Sequence, residues 1–189
     1  TAALKCQSDV CVTSSNAVRI VKSLPNKNIF FIPDRNLGSF VAEQVPEKNI
    51  ILNNGFCPIH AKITSSQVFE EREKHPEAEV LTHPECDASV IELSDYIGST
   101  ADIIAYAKKS DASEFIICTE DGVDYKLITD NPDKRFYYPN PHPCCADMKL
   151  NTLATVLSVL QKEDKEVTVN EDIRQPALIP LDRMLELAK

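Results

Sequence analysis

Apolar positions along the chain alternate between helically spaced sets and short continuous runs. One predicted helix face is formed by residues at i, i+3, i+4 and i+7 spacing: Ala17, Ile20, Val21 and Leu24. The continuous run Phe30-Phe31-Ile32 follows and ends at Pro33-Asp34, which is typical of a strand and a turn. Strands and helices that alternate in this way predict an α/β fold with short parallel sheets.

The same order of elements occurs twice along the chain. Asp9 to Asp34 matches Asp95 to Glu120, an offset of 86 residues (95 − 9). Each copy has the pattern of a short strand, a hydroxyl-rich loop, a helix, a second strand and an acidic turn. Ser14, with Ser15 and Asn16 beside it, and Ser99 with Thr100 supply side chains that can cap the two helices.

A cysteine follows the next strand in each copy. Ile50 to Leu52 precedes Cys57, and "KRFYYPNPHPCC" leads to Cys144 and Cys145. Parallel sheets bind ligands beyond the carboxyl ends of their strands, so these thiols are able to face one shared centre. Position 57 plus 86 is 143, so the repeat does not choose between Cys144 and Cys145.

Further elements are predicted between and after the copies. We expect a helix that is capped by Ser65 or Ser66 and reaches about Lys74, a strand over Glu79 to Thr82 and a helix over Ala88 to Tyr96. An amphipathic helix is indicated by Leu150, Leu153, Ala154, Leu157 and Leu160. The tail predicts a short strand, a helix cap at Asn170 and a final helix near Leu181 to Ala188.

Composition and charge narrow the possible functions. The formal net charge is −9 with no basic run, which argues against nucleic acid and anionic membranes as partners. No apolar run approaches the roughly 20 residues of a membrane span. The start has neither an initiator methionine nor a signal peptide, which suggests a processed or truncated chain, and we expect a cytoplasmic location.

The seven cysteines favour metal binding, catalysis or burial over a disulfide framework, because their number is odd. No CxxC pair occurs, so a metal site must combine cysteines that are distant in sequence. Cys57 with Cys144 or Cys145 would give two thiolates. Three thiolate ligands would hold a [4Fe–4S] cluster and leave its fourth iron open to act as a Lewis acid. The alternative for Cys57 is a buried thiol in a turn, without a ligand role. Cys11, Cys86 and Cys118 are most simply core thiols.

Other polar residues also allow two interpretations. His83 and Glu85 flank Pro84 at a strand end, where they suit acid–base chemistry if the pKa of Glu85 is raised, or a plain surface turn. Ser14, Ser99 and Thr100 suit anion binding at helix N-termini or capping alone. His60 or His142, with Cys57 and Cys145, would suit a zinc enzyme.

Several motifs together resemble the bacterial quinolinate synthases of NAD biosynthesis, over essentially the whole chain. In order, these motifs are "TSSNAV", "PDRNLGSFVAE", "NGFCPIH", "HPEAEVLTHPEC", "DYIGST", "TEDG" and "CADMKLNTL". The resemblance implies three similar three-layer α/β domains around a pseudo-threefold axis, each giving one cysteine to a central [4Fe–4S] cluster. Two of these domains would be present, 1–62 and 63–149, with a helical segment 150–189 that packs on the missing first domain.

The resemblance also implies roles for individual residues. Cys57 and Cys145 would bind the cluster, with Cys145 chosen by the family's Cys-x-x-Met pattern. Substrate-binding positions would be Ser14, His83, Pro84, Glu85, Ser99 and Thr100, with Glu85 and His83 catalytic.

The family condenses iminoaspartate with dihydroxyacetone phosphate to quinolinate, phosphate and water, downstream of L-aspartate oxidase. Because the first domain and its cysteine are absent, we predict that 1–189 alone is poorly stable and inactive. The competing class is a non-catalytic α/β protein that senses through an iron–sulfur cluster or binds a small anion.

Overall fold

A computed structural model of the chain describes residues 1–163 and 165–189. The helices are α1 (Ala2–Lys5), α2 (Ala17–Ser23), α3 (Arg35–Gln44), α4 (Ser65–Lys74), α5 (Ala88–Ile91), α6 (Thr100–Lys109), α7 (Asp124–Asp130), α8 (Leu153–Lys162) and α9 (Glu171–Leu187). The strands are β1 (Asn28–Phe31), β2 (Asn49–Leu52), β3 (Glu79–Thr82), β4 (Tyr96–Ile97), β5 (Glu114–Cys118) and β6 (Arg135–Tyr137). Short 3₁₀ turns cover His60–Lys62, Asp121–Val123 and Met148–Leu150.

These elements form two compact units. Leu24–Cys145 forms the larger unit, and Thr1–Ser23 with Ala146–Lys189 forms the smaller one. All strands listed above belong to the larger unit, where β1 and β2 form one sheet and β4-β3-β5-β6 form a second. Every strand pair is parallel, so the predicted α/β class with short parallel sheets is confirmed.

The repeat predicted from the sequence recurs in the strand registers. Asn28 pairs with Asn49 between β1 and β2, and Glu114 pairs with Arg135 between β5 and β6. Both partners in the second pair lie 86 residues after those in the first (114 − 28 and 135 − 49). The connections match as well, because α3 joins the first pair and α7 with its preceding 3₁₀ turn joins the second.

The four-stranded sheet carries an apolar core on each face, because successive side chains of a strand point to opposite sides. On one face Val80 and Ile116 pack with residues of α4 and α5. On the other face Leu81 and Ile117 pack with residues of α6 and α7. This gives a three-layer α/β/α arrangement around the larger sheet. The pseudo-threefold relation and the domain limits at 62 and 149 stay predictions.

Some predicted elements differ in the structure. The helix expected over Ala88 to Tyr96 ends at Ile91, because Tyr96 and Ile97 pair with β3 and the Asp95 carboxylate accepts the Val80 N–H at 2.8 Å. In the first copy "DVCV" forms no strand in the structure as described, and the Cys11 N–H donates to the Pro180 carbonyl instead, at 3.0 Å.

In the tail, described residues 165–170 form no strand, and the final helix is longer than predicted. The predicted cap is present, since Asn170 Oδ1 accepts the Asp172 N–H at 2.9 Å.

The smaller unit is helical, with α1 and α2 packed against α9. Ala17 and Ile20 of α2 are fully buried. The apolar face of α8 is open to solvent, since Leu153 is 90 % and Leu160 73 % exposed. Over residues 1–163 and 165–189, helices with the length and apolar character needed to cross a membrane are absent.

Candidate functional site

Cys57 is held at the end of the first sheet by an acidic residue that follows β1. Asp34 Oδ1 accepts the Leu37 N–H at 2.8 Å and so caps α3, while Oδ2 accepts the Cys57 N–H at 2.7 Å. Asp34 is buried, and burial raises the pKa of its carboxyl although the N–H groups of Leu37 and Cys57 lower it. One carboxylate therefore fixes both the helix start and the cysteine turn.

Cys145 is held in the same way in the second copy. Glu120 follows β5, 86 residues after Asp34 (120 − 34); its Oε2 accepts the Gly122 N–H at 2.7 Å and its Oε1 accepts the Cys145 N–H at 3.1 Å. Cys145 thus has the backbone hydrogen bond that Cys57 has. The Cys144 thiol is exposed and lies within 4.8 Å of carboxylate oxygens of Glu120 and Asp121.

Cys57 also borders a cluster of polar side chains from several elements. The ligand atoms of Cys57, His60 and Glu85 all lie within 4.8 Å of one another. His60 is buried, and its Nε2 lies 3.0 Å from the Thr119 hydroxyl after β5. His60 Nδ1 lies 3.1 Å from Glu85 Oε2 but makes no aligned hydrogen bond within the described part of the chain.

His83 adds a neutral imidazole to this cluster. It follows β3, and its ring stacks on His60 with centroids 4.5 Å apart. Burial, with the nearby His60, lowers the pKa of His83 to about 4. His83 Nδ1 accepts the Glu85 N–H at 3.2 Å, so the proton of the neutral ring lies on Nε2.

Glu85 is ionised at neutral pH. Burial alone would raise its pKa, but His60, His83 and Cys57 together outweigh burial and lower it. This direction is opposite to the raised pKa on which the sequence-based expectation of acid–base chemistry depended. An ionised carboxylate is able to accept a proton, but the lowered pKa makes Glu85 a weaker base than an ordinary glutamate.

The loop after β3, which carries His83 and Glu85, is held by a side chain of α3. Asn36 Nδ2 lies 2.9 Å from the Glu85 carbonyl oxygen and 2.9 Å from Asp87 Oδ1, which joins the start of α3 to the loop after β3. Pro84 is buried between His83 and Glu85. The two side chains therefore have little freedom to turn outward.

The predicted hydroxyl residues have more varied surroundings. Ser99 is the N-cap of α6, and its hydroxyl donates to Asp102 Oδ2 at 2.5 Å in a capping box. Thr100 is exposed at the first position of α6. Because Thr82 pairs with Ile97, His83 and this helix start both follow strands at one sheet edge. Ser14 lies before α2 in the smaller unit.

The remaining predicted residues also have defined positions. Cys86 and Cys118 are buried, as expected for core thiols, and burial raises the pKa of both, to about 12 for Cys118. Cys11 is only partly buried, and exposed His142 lies 3.4 Å from Asp121 Oδ2.

The sequence-based reasoning missed Thr119 and the hydrogen-bonding roles of Asp34 and Glu120. The signal for both acids was present, because they occupy equivalent acidic turns of the repeat.

Comparison with known proteins finds a family and close relatives. The family model "Quinolinate synthetase A protein" matches residues 1–186. Quinolinate synthase of Caldicellulosiruptor saccharolyticus is 51 % identical over 187 residues, covering 99 % of this chain and 62 % of the relative. That of Alkaliphilus metalliredigens is 46 % identical (98 % and 61 %), and that of Clostridioides difficile 44 % (100 % and 62 %). The chain thus spans about 62 % of the length of these relatives.

Proposed function

The chain belongs to the quinolinate synthetase A protein family, and we propose that it is part of a quinolinate synthase. The intact enzyme would condense iminoaspartate with dihydroxyacetone phosphate, giving quinolinate, phosphate and water in NAD biosynthesis. This proposal draws on relatives that carry the name quinolinate synthase and match essentially all of this chain. A charged cluster at the carboxyl end of parallel strands suits a small polar substrate.

We propose Cys57 and Cys145 as two ligands of a [4Fe–4S] cluster. The supporting observation is their shared hydrogen bonding, since each N–H donates to an acid that follows the equivalent strand. Both residues are partly exposed, and thiolates are the ligands that such clusters require. A third cysteine would come from the part of the relatives that this chain does not span. When bound, the cluster would supply a Lewis-acidic iron for a substrate oxygen.

The condensation needs protons to leave and reach substrate atoms, and Glu85 and His83 are suited to this. Ionised Glu85 would accept a proton from substrate and return it as the neutral acid in a later step, while neutral His83 would donate a hydrogen bond from Nε2 to a substrate oxygen that gains negative charge. Buried Pro84 would keep the two side chains on the site.

We propose that Ser14 and Thr100, with Ser99 beside it, bind the anionic groups of the substrates. The Ser99 hydroxyl would then share its hydrogen bond with Asp102.

The cellular setting is part of the same proposal. L-aspartate oxidase would supply the iminoaspartate, and the enzyme would act in the cytoplasm without nucleic acid or membrane partners. The acidic chain is consistent with this setting.

The cluster ligands are tested by three alanine variants of the intact protein, purified without oxygen. Cys57→Ala and Cys145→Ala should lose the iron–sulfur absorbance and the bound iron, whereas Cys144→Ala should keep both. Retention of a full cluster in Cys145→Ala, or its loss in Cys144→Ala, would contradict the ligand assignment. Metal analysis of the same samples distinguishes iron–sulfur from zinc.

Glu85→Gln tests the acid–base role separately. The variant should keep its cluster and lose most quinolinate formation, because an amide cannot accept the proton. Full turnover would remove Glu85 from the acid–base step. A cluster-bearing protein that shows no turnover even with Glu85 intact would instead favour a sensing or anion-binding function.

We further propose that residues 1–189 alone are poorly stable and inactive. The open apolar face of α8 supports this, since Leu153 and Leu160 are largely exposed and suited to pack on another domain. Measurable quinolinate formation by the 189-residue chain would contradict the proposal.

A further inference from the structure

Three side chains of different chemistry converge beside His83. Cys57 offers a sulfur, His60 an imidazole nitrogen and Glu85 a carboxylate oxygen, all within 4.8 Å of one another. We propose that the cluster-free protein binds one Zn²⁺ ion at Cys57, His60 and Glu85. This mononuclear site is distinct from a [4Fe–4S] cluster, because it uses a histidine and a carboxylate and does not need Cys145.

The spacing of the donor atoms suits tetrahedral zinc. Ligand atoms about 2.0 to 2.1 Å from zinc and at a tetrahedral angle lie about 3.3 Å apart. His60 Nδ1 and Glu85 Oε2 are 3.1 Å apart, so a zinc ion fits between them with little movement. The Cys57 sulfur lies within 4.8 Å of a ring nitrogen of His60 and of a carboxylate oxygen of Glu85, and the corresponding sulfur–nitrogen separation in a zinc site is about 3.6 Å. The sulfur therefore has to approach the other two ligand atoms by about 1.2 Å at most to complete the set.

His60 is oriented as a metal ligand. Its side chain is only 9 % exposed, and its Nδ1 lies next to Glu85 without an aligned hydrogen bond in the described residues. The other ring nitrogen, Nε2, lies 3.0 Å from the Thr119 hydroxyl, an outer partner of the kind that metal-binding histidines use. The stacked His83 ring further restricts rotation of His60.

The set of donors selects the class of metal. Calcium and magnesium prefer oxygen ligands alone, whereas sulfur, nitrogen and a single carboxylate together suit zinc. Cys57 and Glu85 are partly exposed, which gives the ion a path from solvent. Three protein ligands would leave the fourth zinc position to water.

One consequence depends on the proposed function. If Cys57 is a cluster ligand and Glu85 a catalytic base, zinc bound here would block cluster assembly and catalysis together. The binding site itself does not depend on that function, so its test uses zinc binding as the readout.

The test is zinc titration of the intact, reduced, cluster-free protein against a chromophoric chelator. The wild-type protein should bind one zinc per chain, and zinc-edge X-ray absorption should report one sulfur ligand. Cys57→Ser and Glu85→Gln should bind about 100-fold more weakly or worse. Thr119→Val should bind about 10- to 100-fold more weakly, the usual effect of removing an outer partner.

Two matched thiol variants complete the design. Cys144→Ser and Cys145→Ser should bind zinc as the wild type does, and loss of binding in either overturns the proposal. Cys145→Ser also separates the two proposals, because it should lose the iron–sulfur cluster while keeping the zinc site. Failure of the wild type to bind zinc, or a site with two sulfur ligands, equally refutes the inference. Circular dichroism checks that each variant folds, and Glu85→Gln, at a partly exposed position, keeps the test valid if Thr119→Val does not fold.

Discussion

Asp34→Asn is expected to separate the two roles of the carboxylate that holds Cys57. Asp34 Oδ1 caps α3 through the Leu37 N–H, and Oδ2 accepts the Cys57 N–H. Asparagine is about as good a helix cap as aspartate, because its carbonyl oxygen still accepts. Its amide group cannot accept the Cys57 N–H, so the variant removes this contact and keeps the cap.

The expected loss follows from the charge and burial of the group. A hydrogen bond to a charged acceptor contributes about 1.5 to 3 kcal/mol. Burial raises the pKa of Asp34, so the neutral amide recovers part of the cost of burying a charge. We therefore expect Asp34→Asn to lower the free energy of unfolding by about 1 to 2 kcal/mol. Asp34→Ala, which also removes the cap, should cost about 1 kcal/mol more.

The assay is thermal unfolding of the metal-free intact protein at pH 8, where the carboxylate is ionised. For 150 to 250 residues, 1 kcal/mol corresponds to about 2 to 4 °C in Tm, and the longer intact protein should shift by about 2 °C per kcal/mol. Hydrogen exchange at the Cys57 amide should also accelerate in both variants. Asp111→Asn, at an exposed position, is the matched control. The reasoning fails if Asp34→Asn has the Tm of that control and an unchanged Cys57 exchange rate.

Three further variants test the fold and its electrostatics. The folded pKa of His83 is about 4 and its unfolded value is 6.5, so the unfolded state takes up the proton first as pH falls. The free energy of unfolding of the metal-free protein should therefore fall by up to about 3 kcal/mol as the pH is lowered from 6.5 to 4. In urea unfolding, His83→Gln should show a smaller dependence of this free energy on pH, and an equal dependence in variant and wild type would refute the lowered pKa of His83. Gly38→Ala should lower Tm, because the added Cβ would lie 2.9 Å from Cδ1 of buried Phe31 as well as 2.6 Å from Cδ2 of the more exposed Leu52, and overpacking of about 1 to 3 kcal/mol exceeds the helix gain; a raised Tm contradicts this. Ile117→Ala should cost about 2 to 5 kcal/mol at its fully buried site, and exposed Ile128→Ala much less; equal losses would argue against the two-faced core.

The sequence predicted elements well where the signal was local. The strand Glu79–Thr82 and the end of the helix at Lys74 match the structure, because apolar periodicity marks them. The cap of that helix is Thr64 and not Ser65 or Ser66, because Thr64 forms a capping box with Gln67. The stretch from Ala88 to Tyr96 was wrong at its end, since its last residue joins a strand through pairing with β3. That pairing depends on a distant partner, which a helix-like run of residues does not reveal.

The candidate site shows the same division between local and distant information. The order His83-Pro84-Glu85 after a strand was readable as a pair of polar groups at a sheet edge. The stacking of His60 on His83 and the contact of His60 with Thr119 bring together residues far apart in sequence. Contacts with His60, His83 and Cys57 also lower the pKa of Glu85, whereas the sequence-based hypothesis of acid–base chemistry required a raised pKa. The sequence does not show these contacts, so it could not predict the direction of the shift.

The two adjacent cysteines are distinguished by a hydrogen bond that the repeat could not resolve. Asp34 and Cys57 are separated by 23 residues, whereas Glu120 and Cys145 are separated by 25. The second copy therefore has two extra residues between its acid and its cysteine, and an offset of 86 falls at position 143. The hydrogen bond between the acid and the cysteine N–H is present in both copies despite this insertion. It identifies the cysteine whose backbone lies next to the acid at the strand end. It favours Cys145 over Cys144 as the counterpart of Cys57, independently of the Cys-x-x-Met spacing.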